Sequence, residues 1–474
     1  MSALKQLCFA AAANLGAISS GITLGFSAVA LPVLENVTES QASWIASITS
    51  IGMPFGCLLI GPMVDGLGRK RTLMFVNIPT LIGWIFIATA YEPWYLNQLY
   101  AGRFLTGFSC VLACQPAVVY VSEVTDKKLR GVLATWTVIG VSFGIVIVYL
   151  LGALLKENWR LVAWISACFP AAAFIVVWVL LPESPVWLST RGKHDLAELS
   201  MRKIRNIGRE ENLNDQLKEE MEAMIQTSNA NAATAKFRDT LQYFKRPEVF
   251  KPFLIMNTFQ FFQQFAGIFV VIFYGVSIVK ETGSQFDSYI ATVLIGVARL
   301  VGSIIISFAS KWFGRRILSM FSGLGMAITF GALVVFMKLA EKGSMSWFPV
   351  AALFLYILTC TLGFLTLPFS MLGEVFPSRV RAWGSGATSF MGCIFAFVML
   401  KAYPDMKAAW GLEYVFAFYG VMALIGTVFV YFFLPETQGK TLQEVEKYFR
   451  DTRTSHTPRP KVEIKNALLP SDVP

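Results

Sequence analysis

The sequence predicts an all-α membrane protein: twelve transmembrane helices in two pseudo-symmetric six-helix bundles, with a short cytoplasmic helical segment between them. The first observation is composition, since 55% of the 474 residues are hydrophobic and only 15% are charged, against roughly 25% charged in soluble domains. The second is that apolar runs of about 20 residues, the length that crosses a bilayer as a helix, recur along the chain. The third is an internal repeat, because motifs of the first half return in the second.

The predicted spans form two groups of six with a polar segment between them. They lie near residues 8–31, 44–64, 72–90, 97–121, 130–154 and 160–181, and then near 252–279, 288–310, 317–340, 347–372, 382–403 and 411–434. The chain therefore divides into an N-terminal bundle at 1–181, a cytoplasmic linker at 182–250, a C-terminal bundle at 251–434 and a cytoplasmic tail at 435–474. In the linker, apolar residues at helical spacing indicate short amphipathic helices, the alternative being a solvated linker; they are Leu196, Leu199, Ile204 and Ile207.

Lysine and arginine residues indicate which side of the membrane each connection faces. They cluster in alternate connections, for example at residues 69–71 and 315–316, and such basic connections lie on the cytoplasmic side. Both termini are therefore predicted to be cytoplasmic. The only Asn-x-Ser/Thr sequon, at Asn36, falls in the first connection on the other side, where N-glycosylation is possible. The first apolar run is too long for the core of a signal peptide, so we expect it to be retained.

Several classes of function are excluded by what the sequence lacks. The seven cysteines have no CxxC spacing and lie in or beside apolar runs, which is typical of small buried residues rather than of a disulfide or metal framework. The only histidines, His194 and His456, lie in polar segments, so no metal site, cofactor or intramembrane histidine relay is predicted. We find no catalytic dyad or phosphate-binding loop, and the chain is not predicted to be an enzyme. The net charge of +10 comes mainly from the connections, so neither nucleic-acid binding nor an obligate protein partner is predicted.

Three pairs of motifs define an internal repeat. Each pair occupies corresponding places in the two halves, after the second span, between the fourth and fifth, and after the sixth. The offset within each pair is about 250 residues. The matching segments are residues 61–71 and 311–316, 123–130 and 374–381, and 182–185 and 435–437.

A polar stripe on the seventh predicted span indicates a site within the membrane. Its members follow one another at steps of three and four, which places them on one face of a helix, and they are Asn257, Gln260, Gln264, Gly267, Val271 and Tyr274. Gln263 lies one residue off this line. Because an unpaired amide is costly in hydrocarbon, the stripe must face other helices or water. Two interpretations stay open: it lines a solute pathway, or its hydrogen bonds hold helices together.

Seven motifs carry a resemblance to a known family. They are GPMVDGLGRKR at 61–71, AGRFLTG at 101–107, SEVTDKKLRG at 122–131, PESPVWL at 182–188, QQFAGI at 263–268, GEVFPSRVR at 373–381 and PETQGKTLQEVE at 435–446. Together they resemble the sugar-porter branch of the major facilitator superfamily over essentially the whole chain. Within that branch the sequence is most similar to insect-type facilitated trehalose transporters, and more distantly to facilitative glucose transporters. The resemblance implies alternating access of two bundles around a site near the membrane midplane.

The resemblance also implies a gating network of ion pairs on the cytoplasmic side. Its pairs would link the bundles while the cavity opens outward and would separate when it opens inward. The expected members are Asp65, Arg69, Arg103, Glu123, Arg130, Arg315, Glu374 and Arg381. Lys311 occupies the position that corresponds to Asp65 in the second half, so that half of the motif is degenerate. The alternative for each basic cluster is a topology anchor with no gating role.

Solute binding is implied mainly on the seventh span. Gln263 and Gln264 match the paired glutamines with which sugar porters bind hydroxyl groups, and an amide suits this task because it both donates and accepts. The full expected set is Asn257, Gln260, Gln263, Gln264, Tyr274, Arg299 and Phe369. Pro368 offers a break at which the tenth span can bend. Three positions that the resemblance expects to be polar or tryptophan carry other apolar residues here, namely Val138, Phe269 and Phe369.

Arg299 lies in the middle of the eighth span, where the resemblance expects an asparagine. A charge there costs about 3 kcal/mol or more unless it is paired or hydrated. Arg299 is therefore either a binding group for an anionic or strongly polar solute, or a structural residue held by neighbouring polar groups.

The resemblance leads us to expect facilitative uniport of a sugar, trehalose or a hexose, at the plasma membrane. Proton-coupled sugar porters carry an aspartate in the first span, and the matching residue here is Thr23. One alternative keeps the fold and carries an amphipathic or anionic organic solute. A further alternative is a sensor that does not transport. The expected partners are the solute and the lipid bilayer.

Overall fold

The computed structural model is helical throughout the part of the chain that it describes, which comprises residues 3–34, 37–125, 129, 132–133, 135–205, 246–282, 284–339, 345, 347–377, 380–440 and 442–451. Within this part, eleven helical stretches are long and apolar enough to cross a membrane. The prediction of an all-helical membrane protein is therefore confirmed. Asn36, Arg130, Ile207 and most of the predicted tail lie outside the described residues.

Seven α-helices lie among the described residues before residue 182, which we call the first half of the chain. They are α1 Ala3–Ala30, α2 Glu39–Leu67, α3 Arg69–Phe75, α4 Asn77–Ala88, α5 Tyr95–Val124, α6 Trp136–Leu155 and α7 Trp159–Leu180. Helix α2 begins with a capping box, because Thr38 and Gln41 each accept a backbone N–H of the other through their side chains. Helices α3 and α4 follow each other closely and form one apolar stretch.

Two short helices follow in the linker, α8 Pro185–Thr190 and α9 His194–Arg205. Helix α9 is amphipathic, but its predicted apolar face is wrong in part. Leu196 and Leu199 are exposed, whereas the buried face consists of Ala197, Ser200, Met201 and Ile204. Small residues on this face let α9 lie close to α8, where Ala197 packs with Trp187 and Leu188.

The second half of the chain begins at residue 247 and contains nine described helices. They are α10 Pro247–Phe265, α11 Ile268–Glu281, α12 Ser288–Trp312, α13 Arg315–Leu339, α14 Phe348–Thr361, α15 Leu367–Val375, α16 Arg381–Trp410, α17 Leu412–Phe433 and α18 Leu442–Asp451. Helices α14 and α15 share the tenth predicted span. Neither belongs to the eleven stretches that are long enough to cross a membrane.

The seventh predicted span is also divided, between α10 and α11. Gly267 lies at the break with φ of 84°, a left-handed conformation that favours glycine. A Cβ on Gly267 would also overlap the ring of Tyr419, and the Tyr356 hydroxyl donates to the carbonyl of Ala266 at 2.6 Å. The expectation of one continuous polar helix face is therefore wrong beyond this point, since Tyr274 lies on a separate helix.

Helices of each half pack mainly against helices of the same half, with α1 against α5 and α6, and α13 against α14 and α17. The most extensive contacts between the halves join α2 to α16, α6 to α12 and α1 to α11. Close packing relies on small residues, because a Cβ on Gly21 or Gly144 would overlap the backbone of the facing helix where α1 crosses α6. Two of the cysteines expected to be buried, Cys8 and Cys168, are exposed.

Candidate functional site

Three glutamines near the end of α10 are buried, and we call them the glutamine cluster: Gln260, Gln263 and Gln264. The Gln263 Nε2 donates to the carbonyl of Leu365 at 2.9 Å, and the Gln264 Nε2 donates to the Gln263 Oε1 at 3.3 Å. Both amide atoms of Gln260 and the Oε1 of Gln264 have no hydrogen-bond partner among the described residues. A buried polar group without a partner costs about 1–3 kcal/mol. These atoms are therefore suited to bind the hydroxyl groups of a solute.

Breaks in two spans position the glutamine cluster. Helix α10 ends at Phe265, directly after Gln264, and residues 362–366 separate α14 from α15. The backbone N–H of Leu365 donates to the carbonyl of Cys360 at 2.9 Å, and its own carbonyl accepts from Gln263. Irregular backbone inside a membrane is tolerated where it is buried in protein or lines a cavity. The two breaks thus bring polar backbone and polar side chains together in the interior.

Asn257 and Tyr274, the ends of the predicted polar stripe, differ in their contacts. The Asn257 Nδ2 donates to the Phe253 carbonyl one turn earlier at 2.7 Å, while its Oδ1 is buried without a described partner. The Tyr274 hydroxyl donates to the Leu400 carbonyl on α16 at 3.4 Å, and its ring lies 4.8 Å from that of Tyr403. Tyr274 therefore bonds to another helix in this conformation.

Pro368 and Phe369 lie at the beginning of α15. Pro368 is buried in the first turn of the helix, where a proline needs no N–H partner. Phe369 follows it and exposes 36% of its surface, unlike the buried glutamine cluster. The predicted helix break therefore coincides with the start of α15.

Arg299 is buried near the middle of α12 and faces the first half of the chain. Its Nε donates to the Ser142 hydroxyl of α6 at 3.4 Å, and that hydroxyl lies 2.6 Å from the hydroxyl of Ser303. The Nη1 of Arg299 has no partner among the described residues. On either side of Arg299 along α12, a Cβ on Gly296 would overlap the ring of Tyr149 and a Cβ on Gly302 would overlap Thr361, so this part of α12 packs closely against α6 and α14.

Arg103 is buried in the first half, but its surroundings differ from those of Arg299. Its guanidinium donates to the Thr23 carbonyl at 2.9 Å, the Ser27 hydroxyl at 2.6 Å and the Ile45 carbonyl at 3.4 Å. Glu123 lies twenty residues further along the same helix, which corresponds to about 30 Å. The expectation that Arg103 joins the ion-pair network is therefore wrong: it ties α5 to α1 and α2 through neutral acceptors.

The first-half ion pairs meet at the junction of α2, α3 and α5. The Arg69 guanidinium donates to Glu123 through Nε and Nη2, the shortest distance being 2.7 Å. Ser184 also donates its hydroxyl to Glu123. Glu183 accepts the backbone N–H groups of Arg69 and Lys70 at 2.8 and 3.0 Å, which satisfies the N-terminus of α3. Asp65 lies 3.7 Å from Arg69, although 80% of its side chain is exposed.

The second half repeats this arrangement. Arg315 donates to Glu374 at 2.9 Å, and Thr437 donates its hydroxyl to the same carboxylate at 2.6 Å. Glu436 accepts the backbone N–H groups of Arg315 and Arg316 at 2.9 and 3.2 Å. The sequence prediction did not include the two N-terminal caps or the two hydroxyl donors as network members. The sequence did contain a signal for these residues, because the motifs PES at 182–184 and PET at 435–437 end the two halves at corresponding positions.

Each of these ion pairs lies within one half of the chain rather than between the halves. Among the described residues, Glu123 is bonded by Arg69 and Ser184, and Glu374 by Arg315 and Thr437. Arg381 is half-buried, its Nε and Nη2 have no described partner, and burial lowers its pKa from the ordinary value. The predicted links between the halves are thus absent from this conformation in the described part.

Direct contacts between the halves occur toward the opposite end of the molecule. The Tyr149 hydroxyl of α6 donates to the Ile272 carbonyl of α11 at 2.7 Å. The Lys156 Nζ lies 2.7 Å from the Asp287 carboxylate that precedes α12. The hydrogen bond from Lys156 holds the pKa of Asp287 below its ordinary value. These contacts join the halves near the connections that are predicted to lie outside the cell.

Comparisons with known proteins agree on one family. The model of a family described as "Sugar (and other) transporter" matches residues 8–449. The facilitated trehalose transporter Tret1 of Polypedilum vanderplanki is 32% identical over 453 residues, covering 93% of this chain and 87% of the relative. Tret1 of Culex quinquefasciatus is 29% identical over 454 residues, covering 94% and 85%.

Solved structures of the xylose transporter XylE share the fold. A proton:xylose symporter structure of the major facilitator superfamily, bound to 6-bromo-6-deoxy-D-glucose, superposes with a TM-score of 0.77 at 21% identity, covering 95% of this chain and all of that one. An inward open structure of XylE from E. coli also gives 0.77 at 20% identity, covering 94% and 99%. The helices described above therefore adopt the major facilitator fold.

Proposed function

Since this chain belongs to the sugar (and other) transporter family, whose model matches residues 8–449, we propose that it carries out facilitative transport of trehalose or a hexose by alternating access. The observation that carries the proposal is the glutamine cluster, with amide donors and acceptors that are buried and unpaired beside two helix breaks. The relatives named as facilitated trehalose transporters support the choice of sugar.

The proposed architecture has twelve membrane spans in two bundles, residues 1–181 and 251–434, with α14 and α15 forming the tenth span. Residues 182–250 and 435–474 form the cytoplasmic linker and tail, and both termini face the cytoplasm of a plasma-membrane protein. The repeated ion-pair arrangement at the ends of the two halves supports this pseudo-symmetry. The basic connections support the orientation.

In the proposed mechanism, the two bundles rock about the contacts of α2 with α16 and of α6 with α12. The solute's hydroxyl groups exchange hydrogen bonds with the glutamine cluster at the midplane. Because α10 with α11 and α14 with α15 are already broken beside that cluster, their outer and inner segments can tilt separately. Gly267 and Pro368 are the proposed hinges.

The ion pairs are proposed to bias which end is open. In the described conformation the halves meet near Tyr149 and Lys156, so this conformation is open toward the cytoplasm in the proposed orientation. When the other end opens, Glu374 and Glu123 approach the arginines of the opposite half, and Arg381 gains a carboxylate partner. Partly exposed ion pairs contribute about 1 kcal/mol or less each. Several of them are therefore needed to shift the equilibrium between two conformations that differ by a few kcal/mol.

Uniport is proposed because Thr23 replaces the aspartate of proton-coupled sugar porters. Thr23 itself is buried, and its carbonyl accepts from Arg103. No aspartate or glutamate partner of Arg103 exists among the described residues. This neutral environment supplies no carboxyl group that could carry a proton with the sugar.

The test is uptake of labelled trehalose and glucose by purified protein in proteoliposomes. We expect saturable uptake of at least one sugar that equilibrates without accumulation when a pH gradient is imposed. Gln263→Ala should reduce uptake at least fivefold, since a lost hydrogen bond and an unpaired partner cost about 1–3 kcal/mol. Thr258→Ala on the same helix is the control, because the described hydrogen bond of the Thr258 side chain is to the carbonyl of Leu254 in its own helix. Absence of uptake of either sugar, or accumulation driven by the gradient, would contradict the proposal.

A further inference from the structure

Arg299 lies where an uncompensated charge is most costly. It is 11 residues from the start of a 25-residue membrane helix, and only 5% of its surface is exposed. A guanidinium remains protonated in proteins under ordinary conditions, so burial does not simply neutralise it. The cation must obtain acceptors from its surroundings or from a ligand.

The residues that the structure describes supply few acceptors to Arg299. Its single described hydrogen bond, 3.4 Å from Nε to the Ser142 hydroxyl, is long. That hydroxyl is shared with Ser303, whose own hydroxyl donates to the Arg299 carbonyl at 2.8 Å. The Nη1 is buried without a partner, and no described carboxylate lies within ion-pair distance.

Arg103 shows how the same fold satisfies a buried guanidinium that has a structural role. It has three acceptors from two other helices, and it also lies over the ring of Phe26 at 5.7 Å. The part of the chain around Arg103 thus provides what Arg299 lacks. A purely structural role for Arg299 would call for comparable partners.

Arg299 and the glutamine cluster flank the same helix break. Gly302, three residues further along α12 than Arg299, lies against Thr361 at the end of α14. The carbonyl of Cys360 accepts from the N–H of Leu365, whose carbonyl in turn accepts from Gln263. The glutamine cluster and the turn of α12 that follows Arg299 therefore both lie against the break between α14 and α15.

We propose that Arg299, with the hydroxyl groups of Ser142 and Ser303, binds a carboxylate of the transported solute, so that the protein transports hexuronates as well as neutral sugars. This inference rests on the proposed sugar transport and specifies its substrate class. A carboxylate offers only acceptors, and the planar guanidinium can bind it through two parallel hydrogen bonds. Each serine hydroxyl has a single proton, so it donates to the same carboxylate by turning away from its present backbone acceptor, Val138 for Ser142 and Arg299 for Ser303. The glutamine cluster keeps its task of binding the ring hydroxyls.

The first experiment measures uptake of labelled D-glucuronate and of labelled trehalose and glucose by wild-type protein in proteoliposomes. We expect saturable uptake of glucuronate, competition between glucuronate and the neutral sugar, and electrogenic transport of the anion. An inside-positive potential of 100 mV should raise the equilibrium accumulation of the monoanion about fiftyfold and leave that of the neutral sugar unchanged.

The outcomes separate the two proposals. Uptake of a neutral sugar without uptake or competition by glucuronate overturns the hexuronate inference and leaves sugar transport standing. Uptake of glucuronate alone supports a carboxylate site at Arg299 and refutes the transport of neutral sugar. If none of the three solutes is taken up, both proposals fail.

Substitutions test the role of the guanidinium itself. Arg299→Gln should reduce glucuronate uptake at least tenfold more than it reduces neutral-sugar uptake, the difference expected for the loss of a charge-assisted hydrogen bond. Arg299→Lys, which keeps the charge and loses the fork, should retain part of the glucuronate uptake with a raised KM. Lys338→Gln removes an exposed cation from the end of α13 and should leave both activities unchanged. Equal losses for both solutes in Arg299→Gln would overturn the inference, and the wild-type measurements decide it if the variants do not fold.

Discussion

The contact of Tyr149 with Ile272 is predicted to hold one end of the transporter closed more strongly than the nearby ion pair does. Tyr149 is 1% exposed and its hydroxyl donates across the two halves at 2.7 Å. Loss of a buried hydrogen bond costs about 1–1.5 kcal/mol. The ion pair of Lys156 and Asp287 is more exposed to solvent, with 57% and 31% of the two side chains exposed. Such pairs contribute about 0.2–1 kcal/mol and weaken with salt.

Tyr149→Phe should therefore shift the equilibrium between the closed and open forms of this end about five- to tenfold toward the open form. A population of ten closed molecules per open one would become about one to two closed per open one by the same arithmetic. Lys156→Ala should shift it less than fivefold, and the shift should fade at high salt. Tyr414→Phe, which removes an exposed hydroxyl, is the matched control.

Distances between spin labels at Leu154 and Ile290 measure this equilibrium. Both side chains are exposed, at 78% and 56%, and they lie near the ends of α6 and α12 that carry the two contacts. The labels require a background in which the seven native cysteines are replaced. A larger shift in Lys156→Ala than in Tyr149→Phe, at high salt, would refute the reasoning that buried hydrogen bonds dominate this closure.

Three further predictions concern stability and pH. Glu183→Gln should lower the melting temperature of the purified protein, because a carboxylate that accepts several backbone N–H groups contributes about 1.5–3 kcal/mol; an unchanged melting curve would exclude a capping role. Gly267→Ala should destabilise the protein by about 1–3 kcal/mol owing to its positive φ, whereas Gly331→Ala, which meets nothing within 4 Å, should not lower thermal stability. The ion pair of Asp287 with Lys156 should stabilise the closed end fully at pH values above the ordinary pKa of an aspartate. This stabilisation should be lost as the pH falls through the lowered pKa of Asp287 in the folded state. The distance between the spin labels should therefore change only in acid, and a change near pH 7 would contradict the assignment.

Much of the fold could be predicted because it depends on local composition. Apolar runs of bilayer length predict membrane helices wherever they occur, and the paired motifs predict the repeated ion pairs of Arg69 with Glu123 and of Arg315 with Glu374. The break at Gly267 was not predicted from the polar pattern, since the steps of three and four continue across it. The tertiary structure does show why glycine is needed at the break, because the ring of Tyr419 occupies the space that a side chain would take.

The sequence by itself determined a membrane protein built from a repeated half, with a polar site on its seventh span and a family resemblance that names the solute class. Arg103 and Arg299 look alike at that level, since each interrupts an apolar run. Only the tertiary structure distinguished them. The acceptors of Arg103 come from residues up to 80 positions away in the sequence. The one described side-chain hydrogen bond of Arg299 is to a serine 157 positions away. Whether a buried charge is satisfied depends on what other helices bring to it, and no local pattern of residues contains that information.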